Sequence, residues 1–269
     1  MVWSAWSSRY FFKETINLTK LAKAFPGKAK ADSHYRRMQR FISDSGAVGF
    51  DRVAWFVMKL FGFLDTDYYL TFDRTNWQWG KKDINVLMLA VVYKGIAIPV
   101  YWLLLNKQGN SSTRERIALL KRFVREFGKG RTIKFLADRE FVGEKWFGWL
   151  QGEGIDFAVR VKKNTRVTNG RGCFVQARQL FRTLKPGETL VLAGARKMTG
   201  TAVYLSALRL DDGELLIVAT AKPSVDAIET YALRWQIETL FGCLKSRGFN
   251  LAMSPLVVEK ILCSAQSLI

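Results

Sequence analysis

The stretch of this chain with the fewest ways to fold is the apolar run at residues 86–105, VLMLAVVYKGIAIPVYWLLL. Its length and hydropathy suit a membrane span. Lys94, Gly95 and Pro99 interrupt its middle, however, and its flanks are rich in β-branched and aromatic residues. Those features predict two buried strands turning around Tyr93-Lys94-Gly95 rather than a helix in lipid.

The neighbours of this run extend the sheet. YYLTFDRT, just before it, reads as a strand with Asp73 at its C-terminal end. After it, STRERIALLKRFVREFGKG reads as an amphipathic helix with Ile117, Leu120, Val124 and Phe127 as its buried stripe, ended by Gly128 or Gly130. TIKFLADREF is a further strand ending at Asp138. A helix through Trp146 and Trp149 and a strand at IDFAVRVKKN follow. Three strands, a helix, a strand, a helix and a strand make a mixed α/β sheet. Functional groups of such sheets gather at strand ends, where Asp73 and Asp138 are expected. Residues 1–60 read as short helices, INLTKLAKAF and DSHYRRMQRFIS, the second capped by Asp32 or Ser33. The expected division is a basic helical DNA-binding region at 1–60 and the first part of a core at 61–164. A β-rich insertion at 165–222, carrying ETLVLAG, AVYLSALRL and ELLIVATA, and the last part of the core at 223–269 complete it.

Charge narrows the partners. The 269 residues hold 42 Lys+Arg against 23 Asp+Glu, a formal charge of +19, which draws the chain to polyanions, nucleic acid foremost and a membrane surface second. From 157 to 187 there are eight Lys/Arg, including Arg160, Lys162 and Lys163, and no acid. That imbalance suits a phosphate-backbone surface. Residues 1–50 carry nine Lys/Arg against three acids, with Tyr35 to Arg40 as a stretch to lie along DNA or, equally, a solvated helix face. Three scattered cysteines point to a reducing, cytoplasmic setting and away from a disulfide framework or a zinc site. The single His34 excludes any mechanism that needs two histidines.

Chemistry concentrates near the C-terminus. In SVDAIETYALRWQIETLFGCLKSRG, residues Tyr231, Arg234, Glu238 and Lys245 follow at steps of three, four and seven. At about 100° per residue these return to an arc of roughly 60° on one helix face. Leu233, Ile237, Leu240 and Leu244 form an adjacent core-facing stripe. Such a face is commonly a solvated surface of i,i+4 ion pairs. Here it accompanies two acids at strand ends. Asp73, Asp138 and Glu238 can converge as hard-oxygen ligands for two Mg²⁺ or Mn²⁺ ions, the arrangement that serves phosphoryl transfer without histidine.

FDRTNW around Asp73, LADREF around Asp138 and Y-x2-R-x3-E-x6-K from Tyr231 to Lys245 resemble the DDE transposases of bacterial insertion sequences, specifically the insertion-sequence-4 family. The resemblance extends over roughly residues 15–250. It implies a ribonuclease-H-like mixed sheet with flanking helices, a β insertion before the final catalytic helix and a small helical N-terminal region. It implies that Asp73, Asp138 and Glu238 are catalytic and hold two Mg²⁺ or Mn²⁺. Tyr231, Arg234 and Lys245 would contact DNA phosphates, and Arg139 would bind DNA as well as orient Asp138. The implied substrates are double-stranded DNA, both terminal inverted repeats and target, handled by a homodimer where the C-terminus is complete. No membrane partner is implied. Relatives usually continue into a longer helical region than the 19 residues after Asn250, so a shortened copy is expected. Some relatives hold a flipped base with an insertion tryptophan. No Trp lies in 165–222 here, which leaves Tyr204 or Phe174 for stacking. Two alternatives remain open: a DNA-binding derivative without catalysis, and a ribonuclease-H-like nuclease that cuts without joining.

Overall fold

The computed structural model describes residues 18–43, 49–79, 82–105 and 107–247. Residues 1–17 and the tail beyond 247, where a shortened end was expected, lie outside them. Helix α1 (Leu18–Ala24) sets Leu18, Leu21 and Ala22 against Met38 of α2 (Ala31–Ser43). Arg36, Arg37 and Arg40 stay exposed, as a basic face requires. Asp32 and Ser33 fall inside the first turn of α2 instead of capping it. Helix α3 (Phe50–Leu60) turns Ala54 and Met58 into the main core.

The apolar run forms a hairpin. Strand β1 (Tyr68–Trp79) pairs antiparallel with β2 (Lys82–Tyr93), which pairs antiparallel with β3 (Ile96–Leu105). Lys94 and Gly95 make the two-residue turn with φ of 46° and 92°. Positive φ at both positions matches the twist of the flanking strands, and glycine adopts it freely. Pro99 sits in β3 where the register slips between Leu89 and Ala90. That strand ends the sheet, so its missing N–H breaks no inner ladder.

Helix α4 (Thr113–Phe127) leads to β4 (Thr132–Ala137), and α5 (Glu144–Gly152) leads to β5 (Phe157–Val161). A capping box of Ser112 and Glu115 starts α4, and Gly128 at φ 71° ends it. Its fully buried side chains are Arg116, Leu119, Leu120 and Phe123, whereas Ile117, Val124 and Phe127 are only partly covered. The expected stripe is thus rotated, because α5 packs on this helix as well as the sheet.

Parallel pairing joins β1 to β4 and β4 to β5. After β5 come β6 (Arg166–Thr168), β7 (Phe174–Gln176), α6 (Ala177–Leu180), β8 (Thr189–Val191), β9 (Arg196–Met198), β10 (Thr201–Arg209) and β11 (Leu215–Thr220). Among the described residues all eleven strands form one sheet, ordered β3-β2-β1-β4-β5-β11-β10-β9-β6-β7, with β8 on β10. The β-rich segment is therefore an extension of the core sheet, joined where β11 pairs antiparallel with β5. An antiparallel β3-β2-β1 followed by parallel β4 and β5 is the ribonuclease-H-like order.

The last helical run comprises α7 (Ala227–Ala232), a 3₁₀ turn (Leu233–Trp235), α8 (Gln236–Gly242) and a π-helical turn (Cys243–Arg247). It covers one face of the sheet. Ala227, Ile228 and Tyr231 lie on Leu136, Ala158 and Val218; Ile237, Leu240 and Phe241 lie on Val86, Met88 and Ala90. Leu233 and Leu244 join the same clusters, as their spacing predicts. The opposite face, with Phe72 and Phe135, is covered by α3, α4 and α5, which add Met58, Phe123 and Trp146 to the same core. Each large apolar side chain so buried contributes about 1.5–3 kcal/mol. Among the described residues, no helix is long and apolar enough to cross a membrane.

Candidate active site

Register brings the first two acids together. The last β1–β4 pair is Phe72↔Ala137, and Asp138 continues β4 in extended conformation (φ −80°, ψ 174°). Asp73 and Asp138 are therefore the next residues on neighbouring strands about 4.8 Å apart. Phe72 points into the main core, so alternation turns Asp73 to the other face, beneath the last helix. Asp73 lies within β1, which runs on to Trp79, and not at its end as the sequence suggested. Both aspartates fall just past the end of the parallel pairing.

The last helix brings the remaining groups. Tyr231 and Arg234 are buried, at 1% and 2% exposure, and are not a solvated face. Arg234 donates from Nη1 to Asp73 Oδ2 (3.0 Å), from Nη2 to Glu238 Oε1 (2.9 Å) and from Nε to Tyr231 Oη (3.1 Å). Tyr231 Oη in turn donates to Asp138 Oδ1 (3.3 Å), and the Arg74 N–H donates to Asp73 Oδ1 (2.7 Å). One guanidinium thus joins two of the three acids, and the phenol joins the third.

Burial pushes Asp73 up to about 6, with Glu140 and Asp138 adding repulsion against the pull of Arg234 and the Arg74 amide. Burial likewise raises Tyr231 to about 12, so its phenol stays protonated. Arg234 is held above its ordinary value: burial alone would lower it, but Tyr231, Asp73, Glu238 and Asp138 outweigh that. Burial lowers Lys245, against the opposing pull of the Asp73 carboxylate.

Arg139 is exposed and lines a basic groove. Arg160, exposed Lys162 and Lys163, and Arg178 line it too, and it continues past Arg182 and Arg209. Arg160 pairs with Glu214 (2.5 Å), and its charge acts weakly on Tyr231, against the rise that burial causes. Phe174 is half exposed with Arg166 over its ring at 5.5 Å.

Sequence reasoning missed Glu140 and Arg74. A 3₁₀ turn after Asp138 brings Glu140 back toward β1, where Arg74 reaches Glu140 (3.5 Å), Asn85 (3.1 Å) and Asn110 (3.4 Å). The acid two residues after Asp138 was the available signal. Also missed was buried Lys134 of β4, which donates to Ser224 Oγ (2.7 Å), while Ser224 and Thr230 donate to Asp226 at the start of α7.

Among the described residues no three acidic, histidine or cysteine groups are gathered closely enough to hold an ion between them. Arg234 stands between Asp73 and Glu238. In kind, the residues fit a divalent cation: the donors are hard carboxylates, and Asp73 is buried among negative neighbours that a cation would relieve.

No curated protein matches the sequence. Among solved structures, the chain is similar to a piggyBac transposase in a synaptic complex with hairpin DNA, at 11% identity and a TM-score of 0.46, covering 74% of this chain and 45% of that one. It is similar to a simian T-cell lymphotropic virus intasome in complex with PP2A regulatory subunit B56 gamma at 8% identity and a TM-score of 0.28, covering 60% of this chain and 80% of that one. The chain thus spans less than half the length of the piggyBac transposase. Residues 57–256, well over half of the 269, match the family described as Transposase DDE domain. That stretch holds all three acids and the whole Tyr231–Lys245 face, and the chain belongs to the Transposase DDE domain family.

Proposed function

We propose that this protein is a DNA transposase of the insertion-sequence-4 type, which cleaves transposon ends and joins them to target DNA by phosphoryl transfer. The observation that carries this reading is the single network joining Asp73, Asp138 and Glu238 through Arg234 and Tyr231. Asp73, Asp138 and Glu238 would hold two Mg²⁺ or Mn²⁺, which supply Lewis-acid activation of the attacking oxygen and stabilise the leaving one. Tyr231 keeps its proton and fixes Asp138 by donating to it. Lys245, on the last helical run, and the groove of Arg139, Arg160, Lys162 and Lys163 take the phosphate backbone. Transposon ends and target are double-stranded DNA, and the working form is a homodimer in the bacterial cytoplasm.

Glu238→Gln tests the assignment. It is expected to abolish metal-dependent nicking of inverted-repeat DNA, a loss of at least about 100-fold, while gel-shift affinity changes little. Nicking at the wild-type rate by Glu238→Gln rejects the assignment. A second reading, a DNA-binding derivative without catalysis, draws on the fact that Arg234 satisfies Asp73 and Glu238 without an ion. Gel shifts without nicking by the unaltered chain at every Mn²⁺ concentration select it.

A further inference from the structure

Arg234 is placed unlike a residue waiting for DNA. Its guanidinium is almost wholly buried, and Nη1, Nη2 and Nε all donate within the protein. Asp73 has one oxygen on Arg234 and the other on the Arg74 amide, so both are engaged. A buried carboxylate without a counter-charge is costly, and the positive charge that offsets it comes from the helix itself. An ion held by Asp73 and Glu238 together must share or take the place this guanidinium fills, since two cations so close repel.

We propose that Arg234 is a built-in counter-ion that competes with divalent cations for Asp73 and Glu238, and that DNA relieves the competition by offering its phosphates to the guanidinium. The inference rests on the transposase reading and adds to it a coupling between ion loading and DNA binding. Without DNA, the two ion pairs hold the acids in place and oppose the ion. A phosphodiester of DNA held on the basic groove gives the fork of Arg234 a replacement acceptor of matching geometry. The carboxylates are then released to the ion. The coupling is reciprocal, so ions must tighten DNA binding by the factor by which DNA tightens ion binding.

The test is Mn²⁺ binding to the full chain, followed by titration calorimetry and water-proton relaxation, with and without an inverted-repeat duplex. The wild-type protein is expected to bind Mn²⁺ about 5- to 150-fold more tightly with the duplex, the usual span of such coupling. Arg234→Gln is expected to show a gain of that size with no DNA present, and little more when duplex is added. Arg234→Lys keeps the charge without the two-pronged reach, and its Mn²⁺ affinity is expected to fall between the two. A folded Arg234→Gln that binds Mn²⁺ no more tightly than wild type overturns the proposal. So does a duplex effect equal in both proteins. If Arg234→Gln does not fold, Arg234→Lys decides, and a wild-type affinity in that variant overturns the proposal. A wild-type chain that nicks DNA while the variants gain no Mn²⁺ affinity keeps the proposed function and loses only the competition. A chain that never nicks while the variants do gain loses the function and keeps the competition.

Discussion

Asp73 shows how a largely covered carboxylate comes at the expense of stability. Its folded pKa of about 6 lies above the ordinary 3.8, so the folded state holds the proton more tightly than the unfolded one. The penalty of burying the ionised carboxylate is absent below the unfolded value, grows as pH rises through the interval and is complete above about 6. A shift of that size corresponds to on the order of 3 kcal/mol. Asp73→Asn is therefore expected to stabilise the ion-free protein at pH 8 by up to about that amount, with Glu238 keeping Arg234 paired. The gain is expected to vanish at about pH 2, well below the ordinary 3.8, where the wild-type group is protonated in both states. Thermal melts at the two pH values, with chelator present, check this; an equal gain at both would mean that ionisation is not its cause.

At the scale of elements, the site depends on how the last helix is keyed to the sheet. Gln236 Oε1 accepts from the Tyr93 N–H (3.0 Å) and the Gly95 N–H (3.2 Å), which ties the start of α8 to the β2–β3 turn. Lys134, in the strand that leads to Asp138, ties the start of α7 through Ser224 and Asp226. The helix is thus held on both sides of Arg234, which fixes where Glu238 falls. Gln236→Ala removes one acceptor from two donors, and a loss of about 1–2 kcal/mol in urea unfolding is expected. The helix itself was legible, because its apolar stripe and its Tyr-Arg-Glu-Lys spacing are local periodicities. Gln236 and Lys134 were not, because each meets a partner about 90 to 140 residues away in the chain.

At the scale of the whole molecule, the net charge of +19 takes effect where the fold focuses it. Lys163 and Arg178 stand between the two halves of the groove, so replacing both with Ala is expected to reduce the salt slope of duplex binding by up to about 2, near 0.9 for each phosphate left without its cation. Anisotropy titrations between 50 and 200 mM salt, roughly the range over which such slopes are resolved, measure this; an unchanged slope would place the DNA elsewhere. The sequence alone determined the hairpin at 93–96, the order of strands and helices in the first part of the core and the basic character of 157–187. These follow from periodicity, turn chemistry and composition, all properties of neighbours along the chain. Only the tertiary structure decided that Asp73 lies within a long strand, that Arg139 and Arg178 line one groove, and that Arg234 is committed to Asp73 and Glu238. Those outcomes depend on parallel register and on a helix laid across the sheet, which join residues 161 positions apart. No local pattern encodes such a pairing; burial and charge complementarity select it once the layers pack.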